Sequence, residues 1–163
     1  MQKVRKYHRA FGVYGICYEN GKLLVINKNG GPYKNRYDLP GGSLEEAESL
    51  TVAMKREFLE ETGFEIEINQ NIGVVDFMLP WDWKGYTDVH HIAVFYSVKI
   101  IGGELTKPTL FDGQDSLGAL WISEHDASED NSSPLVLKAF EWIREKNLGM
   151  DVEVYESWEI KRK

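Results

Sequence analysis

The chain contains a single cysteine, Cys17, so it forms no internal disulfide. Such a residue on a strand is far more often a small core hydrophobe than a nucleophile. It has no basic excess either. Nineteen Lys and Arg stand against 26 Asp and Glu, a net charge of −7, which disfavours sequence-independent binding to DNA or RNA because that binding runs on cations against phosphate. The longest apolar stretch, Ile92 to Ile101, is broken by Ser97 and Lys99 and falls short of the roughly 20 residues a bilayer span needs. No apolar run follows the charged opening MQKVRKYHRA, as a secretory signal would require. Repeats, low-complexity tracts and linkers are lacking too. With 42% hydrophobic and 28% charged residues over 163 positions, the chain reads as one domain, 1–163, of a cytoplasmic protein with no membrane or stable nucleic-acid partner.

What is present is acid concentrated in one place. Glu57, Glu60 and Glu61 are spaced three and four apart, so on a helix they share one face. Ser49 is a good N-cap and Gly63 a natural residue just past the last turn, which predicts a helix ending at Thr62 with the acids in its last turns. That placement is costly twice over: like charges at these spacings repel, and acids at a helix C-terminus face the negative end of its dipole. A cation offsets both costs. The donors are all hard oxygens, with no His or Cys nearby in the chain, which favours Mg²⁺, or Mn²⁺, over zinc. Mg²⁺ shares its shell with substrate phosphates, so metal-assisted attack on a phosphate ester or anhydride is the implied chemistry. For three acids alone, an ordinary solvated Glu-rich helix competes with that reading. Arg56 lies among the acids, where its guanidinium can bridge carboxylates by forked bonds, and it reads as an orienting group. Glu48, before the helix, can serve as a ligand, a base or a partner of Arg56.

The wider pattern is more specific. Gly42, five residues, Glu48, seven residues, Arg56-Glu57, Phe58, one residue, Glu60-Glu61, one residue, Gly63 and Phe64 resemble the Nudix box with every specified position filled. At background residue usage such a match arises by chance roughly once in ten million chains of this size. The resemblance implies an α+β Nudix fold, a mixed β-sheet sandwich flanked by helices, in which the box forms loop–helix–loop. It implies Mg²⁺-dependent hydrolysis of a diphosphate linkage in a small-molecule nucleotide. Glu57 and Glu61 then act as metal ligands and Glu60 as ligand or base. The carbonyl of Gly41 joins the metal shell, and Asp115, with Asp112 behind it, completes the site or acts as base. A nucleoside triphosphate is the first substrate class. ADP-ribose or another nucleotide sugar is second, because a proline sixteen residues past the box, here Pro80, accompanies that specificity. Dinucleotide polyphosphates are less favoured, since Trp81 replaces the expected tyrosine. A Nudix-fold module that binds a nucleotide without cleaving it is the reading from another class; such modules usually lose box acids that this chain keeps.

The rest of the chain supplies the setting. Residues 10–28 read as a hairpin about Asn20-Gly21. Gly30-Gly31-Pro32 is a loop, followed by a short strand at Tyr37-Asp38-Leu39. Lys34 and Arg36 are candidates to hold phosphate, and Tyr37 to contact a base. Residues 64–101 read as sheet. Pro80–Asp88 reads as a connecting loop whose Trp81, Trp83 and Tyr86 can stack a base or cover a barrel end or dimer surface; Phe77 joins Trp81 and Trp83 as a substrate contact. His90 and His91 are adjacent on a strand and point to opposite faces, so they make no paired metal site; one is core-facing and satisfied, the other exposed. Leu120–Ser123 is a late strand. A helix opens at Ser133-Pro134, runs to about Lys146 and is stopped by Gly149. The tail from Asp151 alternates well enough for a strand, as a sheet edge or a homodimer contact.

Overall fold

The computed structural model describes residues 4–105 and 116–162. Among these described residues nine strands form two sheets: β1 (Tyr7–Ile16), β2 (Tyr18–Glu19), β3 (Lys22–Lys28), β4 (Tyr37–Asp38), β5 (Gly41–Gly42), β6 (Phe64–Trp83), β7 (Tyr86–Gly103), β8 (Ser116–Ile122) and β9 (Glu153–Val154), with helices α1 (Leu50–Thr62) and α2 (Pro134–Glu145). One sheet has the order β5-β1-β7-β6-β9; the other centres on β3, which pairs β2, β4 and β8. The α+β class and a mixed sheet are as the sequence implies: in the first sheet β1 runs parallel to β7 while β6 and β7 are antiparallel, and the strand pairs of the second are antiparallel.

Side chains alternate across a strand, and here each sheet feeds two separate cores. Tyr14, Ile16, Leu23, Val25, Phe77 and Phe95 face one cluster, closed by Leu135, Val136, Ala139 and Phe140 of α2. Val13, Cys17, Leu24, Val94 and Tyr96 face the other, closed by Ala53, Met54 and Phe58 of α1. Complete burial of Met54 and Phe58 contributes about 2 kcal/mol each. Gly15 lets α1 lie close, since a Cβ there would come within 2.9 Å of the Phe58 ring.

Helix α1 has the predicted ends. Ser49 Oγ accepts from the Val52 amide at 3.2 Å, and Gly63, at φ 84°, returns its N–H to the Leu59 carbonyl at 2.9 Å. Helix α2 has the predicted Ser133 cap, but Lys146 rather than Gly149 takes the left-handed position that ends it.

Four expectations give way to packing. The hairpin about Asn20-Gly21 exists only between β2 and β3; the chain changes sheets at Cys17, and β1 pairs β7. Pro80–Asp88 is not a loop. Strands β6 and β7 run through it and turn on Lys84-Gly85, both at positive φ. Strand β8 starts at Ser116, four residues before the predicted start. The tail pairs only at β9, and beyond it Trp158 and Lys161 bind the segment before β4: Trp158 Nε1 donates to the Pro32 carbonyl at 2.7 Å, and Asn35 Nδ2 to the Lys161 carbonyl at 2.9 Å.

Candidate active site

Strand β5 lies against β1, with Gly41 opposite Tyr14 and Gly42 opposite Val13, and passes over the last turns of α1. Both glycines are required by close approach. Gly41 sits at φ 152°, and a Cβ there would strike the Val13 carbonyl oxygen; a Cβ on Gly42 would lie 3.0 Å from the carboxyl carbon of Glu57. The Gly41 amide donates to Glu61 Oε1 at 2.7 Å. That amide contact is what the structure shows for Gly41; the carbonyl role stays a proposal.

Glu61 is 3% exposed, and its Oε2 is buried with no hydrogen-bond partner. Burial pushes its carboxyl well above the usual range; Lys28 and the Gly41 amide oppose the rise, while Glu57 and Asp38 add to it. Glu57 is raised as well, first by burial, against the pull of Arg56. Glu60 lies at the rim, over half exposed.

Arg56 organises this end. Its Nε and Nη2 make a forked pair to Glu48 at 2.6 and 2.8 Å, Nη1 reaches Glu57 at 3.0 Å and Glu60 at 3.2 Å, and Nη2 donates to the Ser43 carbonyl at 3.1 Å. These bonds hold the Glu48 carboxyl down to about 2 and push the guanidinium further up. Of the three uses open to Glu48, the geometry realises the partner of Arg56. With Glu57 and Glu60 turned to Arg56, no three described His, Cys, Asp or Glu side chains stand as a closed ligand set.

A cleft of about 400 Å³ opens beside these residues, lined by His8, Tyr14, Lys28, Tyr33, Asp38, Ser43, Trp81, Trp83, Val89 and His91, among others. Its far end is aromatic. The rings of Trp81 and Trp83 stack at 4.9 Å and 7°, and His8 lies 4.8 Å from Trp83. Its floor holds His91, whose Nε2 is 2.8 Å from Tyr14 Oη and whose Nδ1 is 2.8 Å from Tyr33 Oη. His91 is thus the core-facing, satisfied histidine that alternation predicts. His90 is half-buried rather than exposed, bonded to Asp76 at 2.8 Å.

The predicted site residues therefore divide. Glu57, Glu60, Glu61, Arg56, Glu48 and Gly41 are brought together, and Trp81 and Trp83 line the cleft beside them. Phe77 is completely buried beside His91, its register partner, so a substrate does not reach it. Arg36 is 3% exposed and turned away from the cleft. It donates to the carbonyls of Glu129, Asp130 and Glu159, and its guanidinium stacks 4.1 Å from the Trp158 ring. Tyr37 packs against the α2-side core, and Lys34 is exposed outside the cleft lining. Asp115 and Asp112 lie outside the described residues. Tyr14, Tyr33 and Asp38 carry no motif in the sequence; only the pairing of β1 with β7 brings Tyr14 to the histidine.

A family model described as the NUDIX domain matches residues 6–145. An ADP-ribose pyrophosphatase of Methanocaldococcus jannaschii is 36% identical over 107 residues, 64% of this chain and 60% of that protein. A putative 8-oxo-dGTP diphosphatase of Bacillus subtilis is 30% identical over 108 residues, 66% of this chain and 62% of that one. The matched part thus spans about three fifths of these relatives. Among solved structures, a NUDIX hydrolase from Nitrosomonas europaea superposes with a TM-score of 0.63 at 17% identity, covering 94% of this chain and 81% of its own.

Proposed function

This chain belongs to the Nudix family, and we propose that it hydrolyses a diphosphate linkage in a nucleotide, with Mg²⁺ in preference to Mn²⁺ held at the C-terminal end of α1. The observation that carries this is Glu61 Oε2, a carboxylate oxygen buried beside Glu57 without a hydrogen-bond partner. A lone buried carboxylate is costly to ionise, and a divalent cation removes that cost. The donor set fits such an ion: only oxygens, under a glycine pair that keeps side chains off the carboxylates. Glu57 and Glu61 would hold it, with Glu60 at the rim as further ligand or base. The ion, when bound, offsets phosphate charge and lowers the pKa of water.

The chain's own residues do the rest. Arg56 fixes the orientation of Glu57 and Glu60 and is itself anchored by Glu48. Lys28, in the cleft lining, places positive charge along the path of the phosphates. Trp81 and Trp83 offer an aromatic face of the kind on which bases stack. In the reaction water attacks one phosphorus, the bridging P–O bond breaks, and two phosphate monoesters, or a monoester and pyrophosphate, leave. A nucleoside triphosphate is the first reading, supported by the name of the Bacillus relative. ADP-ribose is the second reading, supported by Pro80 on the strand that carries both tryptophans and by the name of the Methanocaldococcus relative.

The test is a panel of GTP, dGTP, ATP and ADP-ribose with Mg²⁺ or Mn²⁺, on wild type, Glu57→Gln and Glu61→Gln. Wild type should release a nucleoside monophosphate, and each variant should lose at least about a hundredfold in kcat. A wild-type protein that cleaves none of these, or a Glu61→Gln enzyme with unchanged turnover, would overturn the reading; the first result would favour a non-cleaving nucleotide-binding module.

A further inference from the structure

The sheet that carries the tryptophans has a second side, and helix α1 covers only part of it. Val75, Phe77 and Phe95 face the first core, so their neighbours along β6 and β7 face the other way. On that other side Val13 and Val94 lie in the core closed by α1. Strand register fixes the rows that follow. Phe11, Ile92 and Asp76 stand abreast in one; Arg9, His90, Met78 and, from β9, Val154 stand abreast in the next.

A sheet face left to water normally turns polar, but this one stays apolar. Val74 is 61% exposed, Val154 62%, Phe11 41% and Tyr7, one row further out, 42%. The half-buried Ile92 and Met78 pack into neither core. The cleft does not use this face: it opens on the opposite side of the same strands, where Ala10, Val89 and His91 belong.

Charge on the face is divided by strand. On the β1 side stand Arg9, which is exposed and enters no ion pair among the described residues, and Arg5, bonded to Asp88 at 2.9 Å with its side chain 59% exposed. On the β6 side stand Asp76, bonded to His90 at 2.8 Å and still 35% exposed, and the exposed Asp82. Asp82 lies between two tryptophans that stack on the cleft side, so alternation turns it to this one. A face with cations along one edge and anions along the other is complementary to itself. A two-fold axis parallel to β7 lays β1 of each copy over β6 of the other, and each contact then occurs twice. Arg5 and Arg9 meet Asp82 and Asp76 of the second copy, around a shared apolar centre at Ile92. An axis running across the strands sets β1 over β1 and cation over cation instead.

We propose that this half-sheet is the contact face of a homodimer, two copies packed sheet against sheet about a two-fold axis parallel to β7. The proposal is independent of the hydrolase reading. The face spans roughly 20 Å along the strands and 15 Å across them, about 300 Å² in projection, against about 800 Å² per partner in a standard interface. The dimer is therefore a weak one, with a Kd of roughly 10–300 µM.

The test follows the full chain by sedimentation equilibrium from about 5 to 500 µM, a range that brackets this Kd by mass action. In the same solutions the methionine methyls, labelled with ¹³C, are followed by NMR. Met78 lies on the face, while Met54 is fully buried under α1 and serves as the internal control. Mass should rise to that of a dimer, and the Met78 methyl should shift with concentration while Met54 stays in place. Phe11→Glu, Arg9→Asp and Asp76→Arg should each weaken association by about tenfold or more, with thermal melts confirming that each variant is folded. The double exchange Arg9→Asp/Asp76→Arg should recover most of the loss, because the two-fold axis pairs these positions across copies.

A chain that stays monomeric at the highest concentration overturns the proposal and leaves the face to a partner of other chemistry. A dimer whose Met78 methyl does not move, or one that Phe11→Glu leaves intact, overturns it too, since the copies then meet elsewhere. Single charge variants that weaken the dimer with no recovery in the double overturn the two-fold arrangement and the proposal with it.

Discussion

Arg56 gathers three carboxylates with one planar group. A lysine keeps the charge but cannot make the fork to Glu48 while also reaching Glu57. Arg56→Lys is expected to lower kcat/KM by about tenfold to a hundredfold, on the scale of other lost orienting contacts, with a fall in melting temperature of a few degrees; the panel above and a thermal melt check both. His91 makes a pH prediction whose sign follows from its depressed pKa. Between about 3 and its usual 6.5 the unfolded chain binds a proton that the folded chain does not. Stability is therefore fully present above 6.5 and is lost as pH falls below it, by up to about 1.4 kcal/mol per pH unit from this one group. His91→Gln removes that proton. Wild type and variant should converge in melting temperature as pH drops from 7 to 4.5, and parallel curves would show that His91 does not titrate this way.

At the scale of elements, the passage of β5 over the end of α1 is what makes a site. It depends on Gly41, where both the positive φ and the Val13 carbonyl exclude a side chain. Gly41→Ala should cost several kcal/mol and abolish activity, whereas Gly30→Ala, where a Cβ meets nothing within 4 Å, should change stability little; paired denaturant titrations give the comparison. The β6–β7 hairpin extends the same logic at the other end. Its strands persist through Pro80–Asp88 because Lys84 and Gly85 both take the left-handed conformation that two-residue hairpins favour. That keeps Trp81 and Trp83 on one face, two residues apart.

At the scale of the molecule, the C-terminal tail closes around the segment that forms one wall of the cleft. Trp158 covers the Arg36 guanidinium and bonds the Pro32 carbonyl, and the Tyr33 ring, 5.9 Å away, packs edge-on against it. Trp158→Ala is expected to destabilise the fold by about 2–4 kcal/mol, read as a lower midpoint in a denaturant titration. A second clamp joins the tail to α2. Lys138, mostly buried, pairs with Glu141 at 2.7 Å and Glu153 at 2.8 Å, which aligns β9 beside β6.

Much of this was legible in the chain by itself. The spacing of Glu57, Glu60 and Glu61, the Ser49 and Gly63 caps and the alternation of His90 with His91 are local patterns, and local geometry alone sets which face a residue occupies. The family follows from the same short stretch. What the tertiary structure decided is everything that joins residues far apart in sequence. Arg36 looked like a phosphate ligand because a charged loop residue usually meets solvent, but the tail, more than 120 positions later, buries it. Phe77 looked like a cleft ring, but the register of β6 with β7 sets it beside His91 with no exposed surface. The Tyr14–His91–Tyr33 cluster carries no motif at all: only a parallel pairing of β1 with β7, and the lack of a side chain at Gly12 beside the Tyr14 hydroxyl, bring those three side chains within hydrogen-bond reach.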